Sequence, residues 1–466
     1  MNEADRIQPL NPAKVLQEND ALRQRVADLE SIVAELRAEL ERLKRRQQRQ
    51  AAPFSKETRV ATPKRPGRKP GQGRFTYRSA PVVDGDYEPP ILVPVTETAC
   101  PHCGGMLVED GMEVASITDL PAQPRPLVRQ YQVAVGHCRS CGRSVRGRHP
   151  DLAADQYGAT AHRLGPRIVA TGHALHYGRG IPQRKLPAIL QELTGISVTQ
   201  SALMQDALRR SGGAVGQAYQ GLRASLARAE RVHTDDTGWR VGGRPAQLMG
   251  FTTETTTVYQ IRDRHRNAEV REVIPADFAG VLCSDRGKSY DARELQGVRQ
   301  QKCLCHVQRS VSELLETKWG RGRSFGLGLR RLFGEAIALW HAEREGTVTD
   351  FPVQAARLQA RLTDILRERR MPDPANQHLL DDLRRRHAHG DLLRFLDDPR
   401  IEPTNNRAER ALRPAVIARK VSQCSKNQPG AEAFAAFASV TRTLIQRGHS
   451  PIDGLVDVFR GAPIPP

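Results

Sequence analysis

Two aspartates stand where a carboxylate suits metal chemistry. Asp235 follows the apolar run that begins at Arg231, and Asp285 ends Gly-Val-Leu-Cys-Ser-Asp; each pattern predicts a short strand that finishes on an acid. Strand ends bring side chains to the open edge of an α/β sheet, where ligands bind. A carboxylate there also avoids burial without a partner. Two or three converging carboxylates repel unless cations join them, and Mg²⁺ or Mn²⁺ takes oxygen ligands, water and phosphate. Two such ions about 3.5–4 Å apart stabilise both the attacking and the leaving oxygen of an in-line phosphoryl transfer. Asp236 competes with Asp235, but neighbours on a strand face opposite ways, so one enters the site and the other supports it. Seen without the other acids, Asp285 reads as a turn residue before Gly287.

Glu409, the candidate third ligand, reads two ways. With Asn406 as N-cap it occupies the third helical position of a capping box, which needs no chemistry. Yet Asn405, Asn406, Arg407, Arg410, Arg413, Arg419 and Lys420 crowd the same stretch. A basic, amide-rich surround suits a site that holds DNA phosphates.

The cysteines carry a second metal signal. Cys100-Pro-His-Cys103 and Cys138-Arg-Ser-Cys141 are two CxxC pairs, each followed by glycine. Four thiolates close a tetrahedral Zn²⁺ site, structural because no position stays open. The separation of the pairs exceeds the usual window. The alternating stretch LVRQYQVAV predicts strands that bring them together, as in a zinc ribbon. Cys303, Cys305 and His306 make a further set that lacks a fourth ligand.

The elements that must position these residues follow a clear order. Residues 12–45 predict a leucine-zipper coiled coil, with Val15, Leu22, Leu29, Leu36 and Leu43 at d and Asn19, Val26, Val33 and Leu40 at a. β-branched a residues with leucine at d favour a dimer, and the single Asn fixes register. Residues 46–89 read as a basic flexible linker, in which Lys64, Arg65, Arg68 and Lys69 sit among prolines and glycines and suit a phosphate track or a minor groove. The zinc module spans 90–150. A helical, helix-turn-helix-like segment follows at 155–228, with Ser197 or Thr199 as the cap of its second helix. Residues 229–448 predict an α/β catalytic domain with a helical insertion at about 305–400, and 449–466 a C-terminal tail. The stripe Phe434, Phe437, Thr441 and Leu444 reads as core.

Composition constrains the partner. Lys and Arg total 71 against 52 acids, a formal charge of +19, which points to a polyanion bound through counterion release. No apolar run approaches the ~20 residues of a membrane span. The N-terminus has no apolar leader core. The expected setting is the cytoplasm, in association with the nucleoid.

Four motifs then resemble one family. HTDDTGWRV (233–241), SDRGKSYD (284–291), CLCHVQRS (303–310) and TNNRAERALRP (404–414) are similar, in that order, to the insertion-sequence sixty-six family of bacterial transposases. The zipper, the GRKPGQ linker and the double CxxC region resemble its N-terminal half. The resemblance implies an RNase-H-like core of the Asp-Asp-Glu class, with Asp235, Asp285 and Glu409 as ligands of two Mg²⁺ or Mn²⁺ ions. It also implies transposon-end and target DNA as substrates, and accessory proteins encoded alongside. Two positions depart from the family pattern: Asp236 stands where Glu is frequent, and Thr404 where Asp is frequent. The family's Cys-Trp-Ala-His appears as Cys303-Leu304-Cys305-His306, with His306 a candidate support for the scissile phosphate. A non-catalytic dimeric DNA-binding regulator shares the zipper, zinc and charge features; the acid triad separates the two readings.

Overall fold

The structure is a computed structural model. It describes residues 164–466 except 318–319, 368–369 and 372, together with 92–94, 96–97, 99–108, 126–147 and the single positions Leu22, Arg25, Val26, Ile32 and Glu35. The basic segment holding Lys64, Arg65, Arg68 and Lys69 lies outside the described residues, as does most of the zipper. The chain divides into two units, Met1–Leu120 and Pro121–Pro466, with the boundary between the two CxxC pairs.

In the first unit the five described zipper positions are helical, and Leu22, Val26 and Ile32 are exposed. In the second, β1 (Val135–His137) and β2 (Ser144–Arg146) form an antiparallel hairpin. The expected strands at 127–135 are realised only from Val135 onward; residues 127–134 carry exposed side chains and join no ladder. An apolar alternation makes a strand only where a partner edge exists.

Four helices come next: α1 (Pro166–His173), running into a π turn at Ala174–Gly178, α2 (Leu186–Thr194), α3 (Gln200–Ser211) and α4 (Ala214–Leu226). Of the two expected caps, Thr199 is the one used: its hydroxyl accepts the Ala202 N–H at 3.1 Å. Leu186, Leu190, Val198 and Leu203 form a small core at the α2–α3 turn.

The five-stranded sheet consists of β3 (Arg231–Val241), β4 (Arg244–Thr252), β5 (Thr257–Arg262), β6 (Val281–Ser284) and β7 (Arg299–Lys302), in the order β5-β4-β3-β6-β7. The first three form an antiparallel meander; β6 and β7 run parallel to β3. Gly242 and Gly243 both have positive φ, 57° and 80°, and close the two-residue β3–β4 turn that other residues resist. β6 separates two cores by alternation. Leu282 faces the core made with the meander and the flanking helices, while Val281 and Cys283 face a second core. The short α5 (Asn267–Arg271) sits between β5 and β6.

That second core belongs to the insertion: α6 (Leu304–Thr317), α7 (Gly320–Arg344), α8 (Phe351–Ile365) and α9 (Pro374–Ala388). The chain then returns to the sheet. α10 (Asn406–Ser422) packs on β3 and β4, and α11 (Gln428–Gln446) on β5. β5 is an edge strand, and α11 covers that edge with hydroxyls: Ser439 accepts the Tyr259 N–H at 2.8 Å and Thr443 the Thr257 N–H at 3.1 Å. Phe434, Phe437, Thr441 and Leu444 are buried on α11. The expected tail is corrected: 449–466 holds α12 (Pro451–Phe459), whose Leu455 and Val458 are buried against α11 and α1. Among the described residues no helix is long and apolar enough to cross a membrane.

Candidate active site

Asp235 lies inside an 11-residue strand, not at its end as the sequence pattern predicts. The tight glycine turn extends β3 beyond the acids as one arm of a hairpin. The pairing with β6 nevertheless stops at His233, so Asp235 emerges just past the parallel ladder. Asp285 immediately follows β6, and Glu409 projects from the first turns of α10. The three acids therefore come from three elements at the same end of the parallel strands.

Their charges are felt at Asp235, whose carboxyl is pushed up to about 6 by burial and by repulsion from Asp236, Asp285 and Glu409, against a bond from the Asp236 N–H at 2.9 Å. Asp285 Oδ1 accepts the Gly287 N–H at 2.8 Å. A Cβ at Gly287 would lie 2.9 Å from that same oxygen. Across the ladder from Asp235 stands Gly250, where a Cβ would lie 2.9 Å from Leu412 Cδ2. The bare backbone there lets α10, with Glu409 on it, approach the sheet closely.

The capping-box alternative for Glu409 does not form. α10 begins at Asn406 with Asn405 as its N-cap and no side-chain cap bond, which puts Glu409 one position beyond the box. Glu409 is exposed, as are Asn406, Arg410, Arg413 and Lys420. Arg407 is taken up by Glu402, its Nε 3.0 Å from the carboxylate. Asn405 is corrected from a DNA contact to an interior residue: it is 1% exposed and its Nδ2 donates to the Thr234 carbonyl at 2.7 Å.

Asp236 turns to His265, with Nδ1 at 3.0 Å, and the ring's Nε2 lies 3.2 Å from Ser289 Oγ. Burial opposes protonation of His265, but Asp236 and Asp285 outweigh it and raise its pKa. Tyr290 is buried beneath the acids, its hydroxyl 3.4 Å from Thr234 Oγ1; burial and the charges of Asp236, Asp285 and Asp235 keep it protonated. Neither residue was singled out by spacing; a lone His and Tyr in loops offer no periodic signal.

Cys303, at the start of α6, accepts the Asn405 N–H on Sγ at 3.2 Å. Bonds from Cys305, His306 and that N–H draw its thiol well below the ordinary range, and the same contact pushes Cys305 up. His306 is raised, chiefly by Cys303 and also by the charge of Asp285.

The loop after β6 is tied to the insertion. Arg286 donates to Asp382 at 3.2 Å and to Ser310. Buried Lys302 reaches Asp291 at 3.1 Å and Ser284 Oγ at 3.3 Å.

Carboxylates that repel one another at Asp235 fit a hard divalent cation, which would relieve that repulsion. Among the described residues no three or more His, Cys, Asp or Glu side chains are gathered closely enough to hold a metal ion as they stand.

The two CxxC turns share one local geometry. Cys100 N–H meets Gly105 O at 2.9 Å and Gly104 N–H meets Cys100 O at 2.8 Å; Cys138 with Arg143 and Gly142 repeats these at 2.9 and 2.8 Å. Gly104 and Gly142 have φ of 75° and 69°, a left-handed turn that favours glycine. Backbone N–H groups within each turn lower the Cys100 and Cys138 pKa values, which suits thiolate ligation.

The family model that matches the chain describes a transposase domain and covers residues 162–433, more than half of the sequence. The chain belongs to the IS66 transposase family. No individual curated protein matches it.

Proposed function

We propose that the chain cuts and joins DNA at insertion-sequence ends, using Asp235, Asp285 and Glu409 in an RNase-H-like core. The observation that carries this is geometric: Asp235 stands just past the β3–β6 ladder, Asp285 immediately follows β6, and Glu409 lies on the first turns of α10, which packs on β3. The strand order, an antiparallel meander flanked by two parallel strands, supports the RNase-H-like reading. Two Mg²⁺ or Mn²⁺ ions would supply Lewis acidity for the attacking and leaving phosphate oxygens. Asp235 and Asp285 would hold them from the sheet, and Glu409 from α10. Asp236 holds His265 beside the site and, against the opposing effect of burial, raises its pKa, so the ring would face a bound phosphate. Arg410 and Arg413, exposed along α10 beyond Glu409, would meet the DNA backbone. His306, raised and next to Asp285, is a second phosphate partner.

The cysteines of the two CxxC turns are proposed, on their sequence pattern, as structural Zn²⁺ ligands, and the exposed Leu22 and Val26 as part of a dimer seam. Two subunits paired in this way handle two element ends together. The zinc module and α2–α3 would read the terminal repeats.

The test is Mg²⁺-dependent cleavage and joining of a labelled element-end duplex by wild type, Asp235→Asn, Asp285→Asn and Glu409→Gln. Wild type is expected to act, and each variant to bind the duplex without cutting it. Loss of binding in the same variants would sink the assignment. Binding without cutting by wild type itself favours a regulator.

A further inference from the structure

We infer that Asn405 is the positioning residue that sets the spacing of the three acids, an inference that rests on the metal-site reading above. Its Nδ2 donates to the carbonyl of Thr234 at 2.7 Å, the residue before Asp235. Its carbonyl accepts the Glu409 N–H at 3.2 Å. Its own N–H donates to Cys303 Sγ at 3.2 Å. Cys303 N–H in turn donates at 2.8 Å to the carbonyl of Ser284, the residue before Asp285. Through its side chain, its N–H and its C=O, one residue thus reaches the backbone at all three acids, directly or through a single cysteine.

The position explains why an amide is required. The β3–β6 ladder ends at His233, so the Thr234 carbonyl lies just beyond it, and the Asn405 amide supplies the next hydrogen bond. A second bond, from Leu304 N–H to Pro403 O at 2.9 Å, fixes the same segment against the start of α6. Asn405 is 1% exposed, so it touches neither DNA nor solvent ions. Its effect passes through the acids. Partners that orient metal ligands in this way change metal affinity or activity by about 10–100-fold when removed. The exposed first turns of α10 would otherwise let Glu409 drift relative to Asp235, since no side-chain cap holds that helix end.

The experiment is a Mn²⁺ titration of the full chain, read as the Mn²⁺-dependent rise in Tm and as bound Mn²⁺ by electron paramagnetic resonance, with duplex binding measured in parallel. Asp235→Asn defines the background from Mn²⁺ held elsewhere. Asn405→Ala is expected to weaken Mn²⁺ binding about tenfold or more, with duplex affinity unchanged. Cys303→Ala is expected to weaken it less, and Cys303→Ser, which keeps an acceptor for the Asn405 N–H, to restore part of the loss. If wild type responds to Mn²⁺ and Asn405→Ala responds equally, the inference is overturned while the metal site stands. If wild type shows no response above Asp235→Asn, the metal-site reading falls and this inference with it. Should Asn405→Ala not fold, the Cys303 pair decides: affinity identical in both variants and wild type overturns the proposal.

Discussion

Arg386 and Asp291, 95 positions apart in the chain, meet side by side, the two guanidinium nitrogens 2.9 and 2.8 Å from the two carboxylate oxygens. Arg386 is 4% exposed, also holds Asp382 at 3.0 Å, and donates to the backbone carbonyl of Arg286 at 3.3 Å. The contact joins α9 of the insertion to the loop that carries Asp285. Replacing Arg386 by Met removes the cation the two carboxylates share, while Lys302 stays at Asp291 and Arg286 at Asp382. The expected cost is that of lost charge-assisted hydrogen bonds, about 1.5–3 kcal/mol in thermal or urea unfolding. Arg386→Lys is expected to recover little, because a point charge cannot bridge both acids.

Acid destabilises the helical layer. His173 is fully buried, with Nε2 2.9 Å from Asp206 and no partner for Nδ1. Burial lowers its pKa more than Asp206 raises it, so the folded ring is neutral while an unfolded His titrates near the ordinary 6.5. The unfolded chain therefore takes the proton first, and stability present above pH 6.5 is lost as pH falls. Burial pushes Asp206 up, but bonds from His173 and Arg209 and the charge of Arg210 hold it at about 2, below the ordinary 3.8. That adds a second loss as pH falls below about 4. His176, buried and lowered, acts in the same direction as His173. Tm against pH for wild type and His173→Leu checks this: the variant is expected to lose less stability between pH 6.5 and 5, and parallel curves contradict the account.

Gly250→Ala tests the close approach of α10. The added Cβ meets Leu412 Cδ2 at 2.9 Å, so helix or strand must shift. Overpacking of this kind costs about 1–3 kcal/mol. Because the displaced helix carries Glu409, cleavage is expected to fall further than stability or duplex binding does. Equal proportional losses in all three contradict the link.

The CxxC turns predict bound metal. The purified chain is expected to carry one Zn²⁺, measured by atomic emission, and Cys138→Ser or Cys100→Ser to lose it. Retention of zinc in both variants sends the search for its ligands elsewhere.

The placement of the candidate acids was legible in the sequence only in part. Asp285 stands at a strand end because Val281–Cys283 form a fully buried parallel strand that can be read from their apolar run. Asp235 is legible as an acid after an apolar run, but the length of β3 is not, since it depends on a glycine turn and a partner strand. Glu409 has an ambiguous local pattern; only the position of the helix start, one residue earlier than expected, removes the capping box. Asn405 resembles its neighbour Asn406 in sequence, yet one is buried and one exposed. That difference arises from contacts with Thr234 and Cys303, far away in the chain, which no local window contains. Arg386 is one arginine among many for the same reason.

The order of elements has a consequence for biosynthesis. β3 to β7 leave the ribosome well before α10 and α11, which supply Glu409 and cover the free edge of β5. A nascent or prematurely ended chain would therefore present an open strand edge and no third acid. Such a product is fit for aggregation or proteolysis and not for cutting. On the function proposed above, cutting would have to wait until translation has passed α10 and α11.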